Sequence, residues 1–217
     1  DPPTNEEAVA SLRITVKDPD ERKVGRAFSN AMIELGLATI PGFFGLRGGP
    51  SAGSPYGVYR PALVPAELVP QHVVLLGGSE TVVDSVAPAG SVLVEPAAGP
   101  SAGSPGGPTT RAPIGRVVGA RSGDKGGNAN LGVFARTDAA WAWLDEFLTT
   151  ERLRELLPET APLPIDRFRL PAIRSLNFVV HGLLQEGVAA STRQDGQAKS
   201  LGEWLRARVV DVPEALL

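Results

Sequence analysis

R-V-V-G-A-R-S-G-D-K-G-G-N-A-N-L-G-V-F-A, residues 116–135, holds two apolar runs on either side of a polar, glycine-rich segment. Ile114, Arg116, Val118 and Ala120 alternate and share one strand face, and 131–135 reads as a second strand. The loop between them is 121–130, R-S-G-D-K-G-G-N-A-N. Downstream, Thr137-Asp138 caps a helix that turns Ala140, Trp141, Leu144, Phe147 and Leu148 inward. Thr150-Glu151 continues this helix to Leu157, and Pro158 ends it. Phe168 and Leu170 alternate in a strand. Leu176, Val179, Val180, Leu183 and Leu184 fall at helical spacing, and 188–193 reads as a strand. A final helix buries Leu201, Trp204, Leu205 and Val209. The order β-β-α-β-α-β-α predicts a two-layer α/β sandwich with helices on one sheet face.

Upstream, Leu12, Ile14 and Val16 alternate as in a half-buried strand. Asp18-Pro19-Asp20-Glu21 then reads as a helix start, with Asp18 as cap and Pro19 at the first helical position. Val24, Ala27, Phe28, Ala31, Met32 and Leu35 form one helical face, closed by Gly36. A strand is predicted over 38–46, a buried strand over 73–76 and another over 82–86. Half of residues 86–113 are Pro, Gly or Ser, a composition that cannot bury enough surface to offset ordering. The chain is therefore expected to be α/β (α+β): two small two-layer sandwiches, 1–85 and 114–217, joined by a Pro/Gly-rich linker. G-P-S-A-G-S-P occurs at both 49–55 and 99–105, which fits a shared loop geometry or drift in a low-complexity background.

A net charge of -3 without basic runs gives no reason to expect nucleic acid as a partner. No apolar stretch approaches the roughly 20 residues of a membrane span. With no cysteine, there is no disulfide, thiolate metal site or cysteine nucleophile, and a cytoplasmic setting fits. The two histidines, His72 and His181, are far apart, so no metal site is expected. The acidic, polar start D-P-P-T-N-E-E does not read as a signal peptide. A start at Asp1 fits either tag removal or the tail of a longer polypeptide.

The segment 121–130 carries the most chemistry. Gly123, Gly126 and Gly127 let backbone approach a ligand, and successive N–H groups in such a turn bind anions. Lys125 adds a point charge and Arg121 a fork suited to phosphate or carboxylate. Asp124 suits a base, while Asn128 and Asn130 offer donors of the oxyanion-stabilising kind. The same residues also suit a long hairpin turn whose Asp and Asn side chains bond their own backbone. It is neither a Walker A loop nor a Rossmann fingerprint. Asp195, in R-Q-D-G-Q-A-K (193–199), reads as a helix N-cap beside free N–H groups. Asn177 reads as a capping residue or ligand contact, and His181 as a satisfied histidine on an apolar helix. In the first half, Gly48-Gly49-Pro50-Ser51 and Tyr56 to Arg60 are positioned to line a pocket, but Ser51 is not in a nucleophile elbow.

Residues 121–136, R-S-G-D-K-G-G-N-A-N-L-G-V-F-A-R, resemble the hallmark R-x-G-D-K-G-x-x-A-N-I-G-x-x-A-R of the acyclic terpene utilization (AtuA) family. L-P-A-I-R-S-L-N-F-V-V-H-G-L-L (170–184) resembles its leucine-rich stretch with an asparagine-phenylalanine pair. R-Q-D-G-Q-A-K-S-L (193–201) resembles its terminal D-x-Q-G-K-x-L element, with Ala198 in place of glycine. S-L-R-I-T-V-K-D-P-D-E-R-K-V-G-R (11–26) and P-A-L-V-P-A-E-L-V-P (61–70) are similar to the end of the family's large N-terminal domain. The resemblance implies a ferredoxin-like C-terminal domain, here 114–217. It implies a role in catabolism of terpenoids such as citronellol and geraniol through branched acyl-CoA intermediates. Family members are more than twice this long, so the remainder of the N-terminal domain is an expected partner.

Two readings follow from that resemblance. In the first, the chain acts on a branched acyl-CoA in a lyase or hydratase step, with no cofactor and the CoA thioester as substrate. Asp124, Lys125, Asn128 and Asn130 would be catalytic. Arg121, Ser122, Gly123, Gly126, Gly127, Asn177, Arg193, Asp195 and Lys199 would bind ligand. In the second, the chain is a non-catalytic module that docks onto an acyl-CoA carboxylase or closes a homo-oligomer.

Overall fold

A computed structural model of the chain describes residues 10, 12–38, 43–45, 52–84, 90 and 103–217. Most of the predicted strand at 38–46, the turn at 48–51 and most of the stretch 86–102 lie outside the described residues, as do parts of both G-P-S-A-G-S-P copies. The chain divides into two compact units, Asp1–Gly57 with Thr192–Gln194, and Val58–Ser191 with Asp195–Leu217.

In the first unit the N-terminal prediction needs three corrections. Residues 12–17 form no strand, and Leu12 is 82% exposed: alternation makes a strand only where a neighbour completes the ladder. The helix starts two residues later than predicted. Asp20 is the N-cap, its Oδ1 accepting from the N–H of Arg22, while Asp18 Oδ1 accepts from the N–H of Asp20. The helix is also split, with α1 at Glu21–Val24, a break at Gly25 and α2 at Arg26–Leu37, so Gly36 lies inside rather than closing it. Leu35 is exposed, and of this helical segment's described side chains only Ser29 is buried.

In the second unit, β1 (Gln71–Val74) and β2 (Glu80–Val83) pair antiparallel as a hairpin. The predicted burial is wrong: every residue of both strands is exposed. Thr109–Pro113, the last residues of the Pro/Gly-rich stretch, form β3. A 3-10 turn at Ile114–Arg116 follows, so the strand face predicted from Ile114 begins only at Val118. Then come β4 (Val118–Lys125), β5 (Asn128–Ala135), α3 (Asp138–Phe147), α4 (Thr150–Leu156), β6 (Ile165–Leu170), β7 (Ser175–Val180), α5 (Leu201–Arg206) and β8 (Val209–Pro213).

The predicted helix over 176–184 is therefore a strand with a turn, and 188–193 holds a 3-10 turn instead of a strand. The helix at 137–148 has its expected extent and cap, with Thr137 Oγ1 accepting from the N–H of Ala140, but the buried tryptophan is Trp143, and Trp141 and Phe147 are only partly buried. It does not continue: α4 is a new helix with its own cap, Thr149. Val209 lies in β8, beyond the final helix.

Four strands form an antiparallel sheet in the order β4-β5-β7-β6. From β5 onward the chain runs strand, helices, two strands, helix, strand, the βαββαβ succession of ferredoxin-like folds. The sheet edge beside β5 is taken by β4, and the closing strand β8 pairs with β3 instead. Because side chains alternate along a strand, one face carries Val118 and Ala120 (β4), Ala129, Leu131 and Val133 (β5), and Leu176, Phe178 and Val180 (β7), all buried. α3 packs on β5, α4 on β6, and α5 on β4 and β5. Their buried side chains, among them Trp143, Leu144, Leu153, Leu201 and Leu205, close the core. No helix of the described residues is long and apolar enough to cross a membrane.

A charged clamp ties α3 to β6. Arg167 donates to the Asp145 carbonyl (2.6 Å), to Asp145 Oδ1 (2.7 Å) and to the Leu148 carbonyl (3.0 Å), and Arg169 donates to both Asp145 carboxylate oxygens. Burial by itself would raise the Asp145 pKa, but the hydrogen bonds from Arg169 and Arg167 outweigh it and hold the carboxyl below its ordinary value. A folded-state pKa below the unfolded one contributes stability above about pH 4 and loses it as pH falls through the folded value. Asp145→Asn is expected to lower stability at pH 7 by about 1.5–3 kcal/mol and to flatten the acid limb of urea unfolding measured from pH 7 to pH 3. An unchanged acid limb would contradict the clamp.

Candidate binding face

The ten-residue loop read at 121–130 is a tight hairpin. Lys125 pairs with Asn128, leaving only Gly126 and Gly127 in the turn. Gly126 has φ +62, a left-handed conformation suited to the first position of such a turn. Tyr59 covers the tip. Its N–H donates to the Glu186 carbonyl at 3.1 Å, and a Cβ on Gly126 would lie 2.8 Å from its ring. At Gly127 a Cβ would meet the Gln185 carbonyl oxygen, so backbone packs directly on backbone there. Gly126 and Gly127 thus shape a packed turn, and the Gly127 carbonyl accepts from the N–H of Leu184.

With Arg121 to Lys125 on β4 and Asn128 to Asn130 on β5, alternation separates the four expected catalytic residues. Asp124 lies on the helix-side parity of β4, whereas Lys125, Asn128 and Asn130 lie on the opposite parity. The four do not converge on one point. Asn128 is committed, its Oδ1 accepting from the N–H of Gly182 at 2.9 Å. Lys125 Nζ donates to the Asp124 carbonyl at 2.9 Å.

Ser122 pins β4 to the start of α5: its hydroxyl donates to the Lys199 carbonyl (3.1 Å) and accepts from the N–H of Gly202 (2.9 Å). Asp195 does not cap α5, whose N-cap position is Ser200. Its carboxylate instead accepts from the N–H groups of Lys199 and Ser200, closing the turn before the helix. Lys199 Nζ lies over Gly123 and 3.9 Å from Asp124 Oδ1, an exposed pair of little energetic weight. Arg193 belongs to the first unit, where its carbonyl accepts from Arg13 at 2.9 Å. Ala198, where the resembled family has glycine, holds φ +53. Relief of that strain is expected to make Ala198→Gly more stable by about 0.5–1 kcal/mol in urea unfolding.

What the sheet brings together is its other face. Cross-strand register sets out three rows: Gly119, Phe134, Ser175 and Leu170; Arg121, Gly132, Asn177 and Phe168; Gly123, Asn130, Val179 and Asp166. At the centre, Asn130 Nδ2 donates to Asn177 Oδ1 at 2.8 Å. The Asn177 amide nitrogen and Asn130 Oδ1 keep no partner among the described residues. Arg121 is exposed, without an ion pair among the described residues. Phe134 lies over Gly119, filling the space its missing side chain leaves, whereas a Cβ on Gly132 would meet only the Arg121 carbonyl at 3.8 Å. The result is a depression at Gly132 between a guanidinium and an amide pair, with Phe134, Phe168 and Leu170 exposed around it.

Of the sequence candidates, Arg121, Gly123, Asn130 and Asn177 share these rows, Lys199 Nζ reaches over Gly123, and Lys125 and Asn128 lie beyond them on the same face. Phe134 shares the parity of Asn130 along β5, a signal present in the sequence, whereas Phe168 comes to this face only through the β6–β7 register that sets it opposite Asn177. A separate groove of about 410 Å³ on α3 and α4, lined by Trp143, Phe147, Arg152 and three glutamates, includes none of the expected site residues.

Two family models match the chain. One, described as the AtuA ferredoxin-like domain, matches residues 112–211. The other, described as acyclic terpene utilisation family protein AtuA, matches residues 1–75. No curated protein and no solved structure matches the chain.

Proposed function

Since the chain belongs to the acyclic terpene utilisation (AtuA) family, we propose that its ferredoxin-like sheet binds a branched acyl thioester on its open face during terpenoid breakdown. The observation that carries this reading is the co-location of three complementary groups on that face: a guanidinium, an amide pair and exposed apolar side chains. An isoprenoid acyl-CoA has the matching parts. Its chain is apolar, its thioester carbonyl accepts hydrogen bonds and its CoA end carries phosphates. Arg121 suits the phosphates, the Asn177 amide suits the carbonyl, and Phe134, Phe168 and Leu170 suit the chain. Covering about 100 Å² of apolar chain would contribute on the order of 2.5 kcal/mol. The reaction class attached to this reading is a lyase or hydratase step, without a cofactor.

Titration calorimetry with a geranyl-type CoA ester and with CoA alone tests it. Arg121→Ala weakens both ligands, Phe168→Ala weakens only the ester, and Asp124→Ala changes neither. Absence of ester binding, or binding lost with Asp124→Ala but not with Asn177→Leu, would overturn the reading.

Exposed apolar side chains in the first unit, notably Leu12 and Leu35, favour a second reading. In it, the chain docks onto further polypeptide: the rest of an N-terminal domain, a second copy or an acyl-CoA carboxylase. Sedimentation of the chain alone and with a carboxylase tests that reading.

A further inference from the structure

His181, expected as a satisfied histidine on an apolar helix, instead follows the last residue of β7 and is partly exposed. Two positions beyond Val179, it continues the open-face side of that strand. Its backbone N–H donates to the Pro164 carbonyl at 3.0 Å, and its ring Nε2 lies 2.7 Å from Asp166 Oδ2. Asp166 belongs to the row that holds Val179 and Asn130. Asn130 and His181 are thus diagonal cross-strand neighbours, a relation that places Cα atoms about 7–8 Å apart. The neighbouring Gly182 N–H is tied to Asn128 Oδ1, which fixes the turn that carries the ring.

An ionised carboxylate only accepts hydrogen bonds, so Asp166 selects the tautomer with the proton on Nε2. Nδ1 is left as a bare acceptor without a partner among the described residues. Pairing alone does not make a base: His72 and Glu80 also pair, in the β1–β2 hairpin, and the Gln71 amide next to His72 alternates onto the hairpin's other face. Position separates the two histidines. His181 stands at the end of a face whose next row holds the Asn130 amide.

We infer that His181, positioned by Asp166, is the proton-transfer base of the open face, acting on the carbon next to an acyl thioester carbonyl. The inference rests on the reading of that face as an acyl-thioester site. Nδ1 takes the α-proton, and the C–H electron pair moves into the carbon–carbon bond as the carbonyl oxygen becomes an enolate oxygen. The Asn130–Asn177 amide pair, whose member Asn130 stands in the row next to His181, donates to that oxygen. The imidazolium, balanced by the Asp166 carboxylate, returns a proton to the α-carbon. Nothing is consumed, and in deuterated water the returned atom is deuterium.

The experiment follows deuterium entry at the α-carbon of a saturated citronellyl-type CoA ester by NMR, with the full chain, alongside calorimetric binding of the same ester. The wild-type protein is expected to bind and exchange. His181→Gln binds the ester but exchanges about 100-fold slower or less. Asp166→Asn slows exchange and displaces its pH profile, and Asp166→Glu recovers rate. Ester binding without exchange in the wild type, or exchange at the wild-type rate in His181→Gln, overturns the base assignment and leaves the binding reading standing. No ester binding by the wild type overturns both.

Discussion

Phe178→Ala is expected to destabilise the second unit by about 3–5 kcal/mol. Phe178 is among the largest fully buried side chains and lies at the middle of β7, opposite Leu131 on β5 and Arg167 on β6. Truncation removes its burial and leaves a cavity among residues fixed by three strands. Such a loss is a large part of the 5–15 kcal/mol that typically separates folded from unfolded states. Val179→Ala, on the open face, is expected to cost under about 1 kcal/mol. The pair tests the strand assignment. A helix over 176–184 would bury Val179 together with Leu176 and Val180, so comparable losses in urea unfolding would favour the helix.

Gly132→Leu is expected to leave stability unchanged or raise it by up to about 1 kcal/mol, since a mid-strand glycine is replaced where a Cβ meets nothing closer than 3.8 Å. Its side chain would occupy the depression between Arg121 and Asn177. Ester affinity is expected to fall by about 30-fold, or roughly 2 kcal/mol. Retained affinity in a folded Gly132→Leu protein would place the ligand elsewhere. Lost affinity through unfolding is excluded by a melting temperature at or above that of the wild type.

The misreading of β7 has a physical cause. L-N-F-V-V-H-G-L-L places apolar residues at i, i+3, i+4, i+7 and i+8, the helical pattern, because a central strand followed at once by a buried turn gives a nearly continuous apolar run. Its Phe178-Val179-Val180 core, rich in strand formers, was the available counter-signal. The hairpin strands were legible in their apolar halves, 118–120 and 131–135. Their polar halves read as loop because β4 is an edge strand whose Arg121, Asp124 and Lys125 need no apolar environment. That misreading had a functional consequence: a loop can gather Asp124 and Asn130 at one point, whereas two paired strands send them to opposite faces. The α3 helix was legible because Thr137, its cap and its inward face agree. Asp166 and His181 were not legible as a pair, since only the β6–β7 register brings them together.

The open face is tested most directly by side-chain amide NMR during titration with a geranyl-type CoA ester. Binding as described moves the Asn130 and Asn177 amide signals and the Arg121 guanidinium, while the indole N–H of Trp143, buried on the helix side of the sheet, changes little. Unmoved Asn130 and Asn177 signals, with shifts confined to Asn128 and the 122–127 backbone, would contradict the account and return the site to the hairpin.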